Sequence, residues 1–299
     1  MNPESRSRRA ARSDVAPLRR VLLMHPRSAF GSQSRIDAQW ESLRYAGRPD
    51  FGKAVEEYDD LVELLCAAGV DTEYMQPDDG LTLDAVYVRD ASVVADGGAI
   101  LCNMGKVARS REPEAHRAAF EQLGVPILGR IGGGGLLEGG DVVWIDTATL
   151  AVGEGYRTNA EGIRQLREIV GSATDVVAVP LPHWKGSGDV FHLMSILSPL
   201  DDDLALVYSP LMPVRFRDML RDRGYGLIEV PDDEMDMGPN ALALSPRRCV
   251  LEVANVETRR RLETAGVEVL TYDGAEISRK GLGGPTCLTR PLERSSTGS

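Results

Sequence analysis

Cysteine and histidine are scarce in this chain, four of each among 299 residues. Cys66, Cys102, Cys249 and Cys287 show no CxxC spacing, and His25, His116, His183 and His192 show no HExxH or finger-type spacing. Neither a structural metal site nor a disulfide framework is therefore expected. No apolar run reaches the roughly 18 to 20 residues that a membrane helix needs, and Met1 to Ala16 is rich in arginine and serine without an apolar stretch. Excess positive charge is missing too. The formal net charge of −11 argues against nucleic acid or an anionic membrane as partner, since both are held by basic surfaces. A cationic small molecule meets no such objection. The expectation is a cytoplasmic protein with reduced thiols, needing no metal or disulfide to stabilise a core of this size.

What is abundant is a period. Five times a helical pattern ends at a glycine and a β-rich run follows: at Gly69, Gly124, Gly171, Gly224 and Gly266. Each glycine suits the left-handed position that closes a helix, where a Cβ is strained. Thr158 with Glu161 reads as a capping box, and Pro213 as a first helical residue. Pairs of short strands lie between the helices: Ala85 to Val94 with Ala99 to Asn103, Val142 to Ile145 with Leu150 to Val152, and Asn240 to Leu244 with Cys249 to Val253, with Leu204 to Tyr208 as a further strand. Five such units indicate a repeat, and a closed ring of five ββαβ modules accounts for the count. An ordinary α/β sheet is the alternative. Residues 1–17 and 293–299 are polar and expected to be mobile tails, leaving 18–292 as one domain. Ser28 to Gly52 is long for a connection and reads as a lid or a surface excursion.

The chemistry concentrates in three places. Cys287 follows Gly283-Gly284-Pro285-Thr286, a turn that would hold one thiol still. His192 follows a polar loop, Lys185 to Asp189, and is read as standing at the end of a strand, facing a cavity. Glu138 precedes Gly139-Gly140-Asp141, where two glycines would let a substrate approach the backbone. A thiol, an imidazole and a carboxylate make up the equipment of covalent thiol catalysis, with histidine titrating near operating pH. The other readings are structural: a core cysteine, a satisfied histidine and, for Asp141, a carboxylate that fixes its own turn. Cys66, Cys102 and Cys249 all read as core, and His183 is the nearest competitor to His192. The glycine run before Val142 is not a dinucleotide fingerprint, because a strand follows it.

Asp84 and Asp90 in Leu83-Asp84-Ala85-Val86-Tyr87-Val88-Arg89-Asp90, the Glu138-Gly139-Gly140-Asp141 run, Tyr156-Arg157-Thr158-Asn159, Phe191-His192-Leu193 and Gly283-Gly284-Pro285-Thr286-Cys287 occur in one order. That order resembles the guanidino-group-modifying superfamily, most closely the dimethylarginine dimethylaminohydrolases, over about Arg19 to Leu292. The resemblance implies an α/β fold, the five-bladed propeller called a pentein. It implies Cys287 as nucleophile, His192 as acid and base, and Glu138 as orienting carboxylate. Asp84, Asp90 and Asp141 would meet the cationic substrate, and Arg157 and Arg111 its carboxylate. The implied reaction is cofactor-free hydrolysis of an N-methylated arginine to citrulline and an alkylamine, in a chain for which a homodimer is left open. One departure stands out. Where arginine deiminases and amidinotransferases carry an aspartate two residues after the histidine, this chain has Met194, and strand alternation would point it into the site, favouring an alkylated guanidine. Arginine deiminase or dihydrolase activity, amidino transfer, and a non-catalytic pentein are the alternatives.

Overall fold

The computed structural model describes residues 12–188 and 191–295. Among these residues fifteen strands form five three-stranded sheets, and each sheet repeats one topology. The middle strand runs antiparallel to the first and parallel to the third. In the second sheet these are β3 (Ser92–Ala95), β4 (Gly98–Leu101) and β5 (Ile127–Arg130). The third holds β6 (Val142–Asp146), β7 (Thr149–Glu154) and β8 (Asp175–Pro180). The fourth holds β9 (Leu197–Asp201), β10 (Leu204–Val207) and β11 (Gly226–Glu229), and the fifth β12 (Leu242–Ser245), β13 (Arg248–Glu252) and β14 (Glu268–Tyr272).

The first sheet closes the ring. There β1 (Leu18–Leu23) pairs in parallel with β2 (Asp71–Tyr74) and antiparallel with β15 (Arg290–Arg294) from the other end of the chain. The chain termini thus share a blade. Neighbouring blades touch through their first strands, β15 on β3 and β12 on β9. The architecture is the expected five-bladed α/β propeller.

Between the second and third strand of every blade lies a helix: α1 (Phe51–Ala67), α2 (Glu112–Gln122), α3 (Ala160–Val170), α4 (Val214–Asp222) and α5 (Val256–Thr264). Their apolar stripes explain the packing. In α1 the buried Ala54, Tyr58, Leu61 and Leu65 recur every three or four residues, and Asp50 caps the first turn by accepting from the Lys53 amide at 3.0 Å. All five predicted glycines have φ between +68° and +86°, the left-handed conformation that ends each helix.

Three local expectations fail for identifiable reasons. Asn159, not Thr158, caps α3 by accepting from Gly162 N, because the Thr158 hydroxyl is committed to Asp141 at 2.6 Å. The stretch read as a strand from Ala85 starts as a 3₁₀ turn, Leu83–Val86, and only Ser92–Ala95 pairs. It is buried throughout, so it has no alternating face to align, and the Tyr87 carbonyl is taken instead by the buried Arg109 guanidinium at 2.8 Å. The described parts of the expected tails are also ordered into the fold. Asp14, Val15 and Ala16 are buried, and Glu293 and Arg294 belong to β15; residues 1–11 and 296–299 lie outside the described residues.

Among the described residues no helix is long and apolar enough to cross a membrane.

Candidate active site

Cys287, His192, Asp84, Asp90 and Arg157 line one cavity of about 170 Å³, together with Leu43, Arg44, Tyr87, Lys106, Arg109 and the Gly281 to Gly283 turn. The excursion after Ser28 supplies one wall. It folds as two short helices, Pro26–Ala29 and Gln33–Gln39, and brings Leu43 and Arg44 to the cavity. Lys106 ties it down, donating to the Leu43 carbonyl at 2.9 Å and pairing with Asp84 at 2.6 Å. Arg44 and Leu282, both in the lining, hold φ of +66° and +61°. Non-glycine residues rarely adopt that conformation, and it concentrates at functional sites.

Cys287 is partly buried, with Asn240 donating to its sulfur at 3.1 Å. The Asn240 carbonyl oxygen accepts from the Thr286 amide, which fixes the orientation of the side-chain amide toward the sulfur. Gly284 is required here, since a Cβ would come within 2.6 Å of the Asn240 side chain. Burial, reinforced by the negative Asp90, pushes the thiol up to about 11, and the Asn240 bond works against that shift. Asn240→Ala is therefore expected to slow alkylation of Cys287 at neutral pH and to move its pH dependence upward. Thiol alkylation rates across pH 6 to 10 check this, and an unchanged profile would show that Asn240 does not support the thiolate.

His192 is not on a strand. It caps a 3₁₀ turn, Leu193–Ser195, and its ring is almost fully buried. Its Nε2 meets Glu138 Oε2 at 2.8 Å, and its Nδ1 faces Asp90 Oδ1 at 3.9 Å. Burial favours the neutral ring, but Asp90, Asp141 and the Glu138 hydrogen bond overcome it and raise the imidazole to about 9. Glu138 is wholly buried. Desolvation is outweighed by His192, Arg157 and Arg109, so its carboxyl is held well below the ordinary range, and it also accepts from the amides of Gly105 and Lys106. The two groups form an imidazolium–carboxylate pair at neutral pH.

Glu138 stands behind the histidine and does not line the cavity. The glycines after it make room for packing rather than for a substrate: a Cβ on Gly140 would lie 2.6 Å from His192 Nδ1 and 2.7 Å from Asp90 Oδ1, and one on Gly139 would lie 2.3 Å from the Arg89 carbonyl oxygen. Asp141 is likewise set back from the cavity. It accepts from Thr158 and from the Leu193 amide at 3.0 Å, anchoring the turn that carries His192, and burial pushes its carboxyl to about 6.

Arg111 is misplaced as a candidate. Its side chain is 66% exposed, 3.8 Å from Asp78, and it belongs to a surface depression distinct from the cavity. Arg109 occupies the site instead, bonding Asp90 at 2.5 Å and Glu112 at 2.7 Å while buried. Met194 is not in the lining either. The turn at Leu193–Ser195 breaks the alternation that would have pointed it inward, and it packs in the apolar core with Leu193, Ile196 and Leu197. His183 bonds Tyr156 at a separate surface groove, His25 pairs with Asp59, and His116 is buried against Ser92. Of the three cysteines read as core, Cys102 and Cys249 are buried and Cys66 is exposed.

Asp90, Glu138 and His192 bring one potential ligand atom each within 4.8 Å of one another. The guanidinium groups of Arg109 and Arg157 already hold the two carboxylates, so a divalent cation there would face two fixed positive charges. A cation with N–H donors is a better match. Asp90 lines the cavity, and its buried Oδ1 has no hydrogen-bond partner, an acceptor left unpaired in the free protein.

Comparisons with known proteins bear on the family and the fold. A family model for arginine deiminase matches residues 82–224 and 212–294. A dimethylarginine dimethylaminohydrolase of Streptomyces coelicolor is 31% identical, the match covering 91% of this chain and 96% of that one. An arginine deiminase of Rhodococcus erythropolis is 27% identical over 70% of this chain, and the match spans only 60% of its length. Among solved structures, the Pseudomonas aeruginosa dimethylarginine dimethylaminohydrolase with citrulline superposes at a TM-score of 0.73 (24% identity, 91% and 98% covered). The N-terminal domain of a cyanobacterial arginine dihydrolase reaches 0.79 (19% identity, 92% and 98% covered). With its propeller complete and the matched segments carrying Cys287, His192 and Glu138, the chain belongs to the arginine deiminase family, within the pentein superfamily of guanidino-group-modifying enzymes.

Proposed function

We propose that this chain hydrolyses a guanidino compound through Cys287, and that the substrate is an N-methylated arginine, giving citrulline and an alkylamine. The observation that carries the reading is the meeting in one cavity of a thiol, an imidazolium and Asp90, whose Oδ1 is unpaired. In the free protein the thiol is protonated. A guanidinium held against Asp84 and Asp90 places positive charge beside the sulfur, which lowers the cost of ionising it, and the proton leaves to solvent. The thiolate then attacks the guanidinium carbon, forming a C–S bond. His192 gives its proton to the departing amine as the C–N bond breaks, leaving a thiouronium on Cys287. The now neutral imidazole takes a proton from water as its oxygen adds to the same carbon; the C–S bond then breaks, the proton of the added hydroxyl passes to the departing sulfur, and the neutral ureido product and the thiol are free. Glu138 keeps the imidazole oriented and favours its protonated form throughout. Arg157, in the lining, is the candidate for a substrate carboxylate, although it also holds Glu138.

The methylated substrate is supported by length and by lining. Two relatives matched over almost their whole length are dimethylarginine enzymes, whereas the matched deiminase extends well beyond. Leu43, Leu282 and the Tyr87 ring give an N-methyl group apolar surface to meet. The test is a parallel incubation with arginine, monomethylarginine, asymmetric dimethylarginine and agmatine, quantifying ureido product, ammonia and methylamines. Methylated arginine should exceed arginine in kcat/KM by at least roughly tenfold, about 1.4 kcal/mol of transition-state discrimination. Arginine as the better substrate would replace this reading with a deiminase or dihydrolase, and product formed only with an added amine acceptor would make the chain an amidinotransferase.

A further inference from the structure

Five lysine and arginine side chains line the catalytic cavity: Arg44, Lys106, Arg109, Arg157 and Lys185. Three of them serve the carboxylates of the site. Lys106 pairs with Asp84, Arg109 with Asp90 and Glu112, and Arg157 Nη1 donates to both oxygens of Glu138, at 3.3 and 3.2 Å. Lys185 pairs with Asp236 at 3.2 Å, both side chains about half exposed. Arg44 is left: among the described residues its guanidinium has no hydrogen-bond or ion-pair partner.

Position gives that free cation its meaning. His192, Asp90, Arg109 and Arg157 are almost fully buried and Cys287 partly so, whereas Arg44 and Lys185 are exposed. The cavity thus has a buried reactive end and an exposed rim. Arg44 reaches the rim from a turn position that glycine normally occupies. The Tyr45 amide donates to the Trp40 carbonyl and the Arg44 amide to the Glu41 carbonyl, both at 3.0 Å, the paired bonds of a helix-closing turn whose left-handed residue is Arg44 at φ +66°. Its guanidinium then lies across Gly188, leaving no room there for a Cβ. Gly188 also lines the cavity, in the loop that leads to His192, so this contact places the guanidinium itself, and not only the aliphatic stem, at the cavity wall.

We propose that Arg44 binds the α-carboxylate of the substrate and makes the enzyme select guanidino amino acids over simple guanidines. The assignment rests on the reading of Cys287 as the nucleophile toward a guanidino substrate. With the guanidinium carbon at Cys287, the rest of the substrate extends toward the rim, where its carboxylate meets an arginine whose planar fork has nothing else to hold. Arg157 is less free to serve. Drawing it to a substrate carboxylate would loosen the Glu138 carboxylate that keeps His192 protonated.

The experiment uses the full chain carrying Cys287→Ser, so that ligands bind without turnover. Calorimetry compares monomethylarginine with methylagmatine, the same molecule without its carboxylate, in this parent and after a further Arg44→Gly. Glycine is the residue that the turn favours, so the variant removes the guanidinium without straining the backbone, and a thermal melt should show no loss of Tm. The parent should hold monomethylarginine at least roughly tenfold tighter than methylagmatine. Arg44→Gly should remove most of that preference while weakening methylagmatine by less than about threefold, and Arg44→Lys, which keeps the charge but not the fork, should retain part of it. A parent without the preference would overturn the proposal. So would an Arg44→Gly protein that keeps it, or one that loses both ligands equally, the mark of a purely structural role. Turnover answers a separate question: binding of monomethylarginine through Arg44, with no guanidine hydrolysed by the unmodified enzyme, would overturn the hydrolase reading and uphold the carboxylate site.

Discussion

Cys287→Ser is expected to abolish turnover while leaving the fold intact. A serine hydroxyl offers almost no anion near neutral pH, and no base beside residue 287 replaces what the thiol's own acidity provides; the neighbouring imidazole is already protonated. The side chain is partly buried and its loss of size is small, so Tm should shift by no more than a few degrees. Product formation and a thermal melt measure the two halves separately. A serine variant keeping even a tenth of the activity would sink the assignment of Cys287 as nucleophile. Labelling with a cationic haloacetamidine gives a second reading. Cys66 is exposed and will also react, so the discriminating result is protection. Substrate should shield Cys287 and leave Cys66 unaffected, and protection confined to Cys66 would contradict the site.

His192→Ala is expected to lower turnover roughly 10²-fold or more, the usual consequence of losing an acid–base group. Folding should survive, because Glu138 keeps Arg157 and the amides of Gly105 and Lys106. The wild-type pH profile carries the sharper information. The imidazole is raised to about 9, so the imidazolium that protonates the leaving amine is present below that pH and lost above it, and kcat/KM should fall as pH rises through about 9. The same shift has a stability consequence. The contribution of a raised histidine is complete below its ordinary value near 6.5 and disappears as pH passes about 9. That of Glu138, whose pKa is depressed, is present above about 4.5 and lost as pH falls below it. The pair therefore stabilises most between those limits. His183→Ala, at a separate surface groove, should leave activity within twofold; a larger loss there than at His192 would mean that the wrong histidine has been chosen.

The parts of this protein that local chemistry dictates could be read from the chain alone. Glycines that end helices take positive φ, so Gly69, Gly124, Gly171, Gly224 and Gly266 mark the five modules in the sequence itself. The order of motifs around Asp84, Glu138, His192 and Cys287 likewise sufficed to suggest a thiol site on a ring of repeats. What depended on one segment meeting another could not be read this way. Arg109 and Arg111 are two residues apart in sequence, and only the packing of a buried carboxylate pair, Asp90 and Glu112, draws the first into the cavity while the second stays in solvent. Asn240 gave no local signal, because its partner sulfur lies 47 residues away. Gly140 looked like room for a substrate and proves to be room for the His192 ring. Met194 was assigned to the site by a strand period that a single 3₁₀ turn cancels. Sequence periodicity records how a residue faces its own element. Which charge, ring or sulfur it finally meets is decided by the closure of the ring, which brings residues from both ends of the chain, Asp14 and Arg294 among them, into one buried cluster.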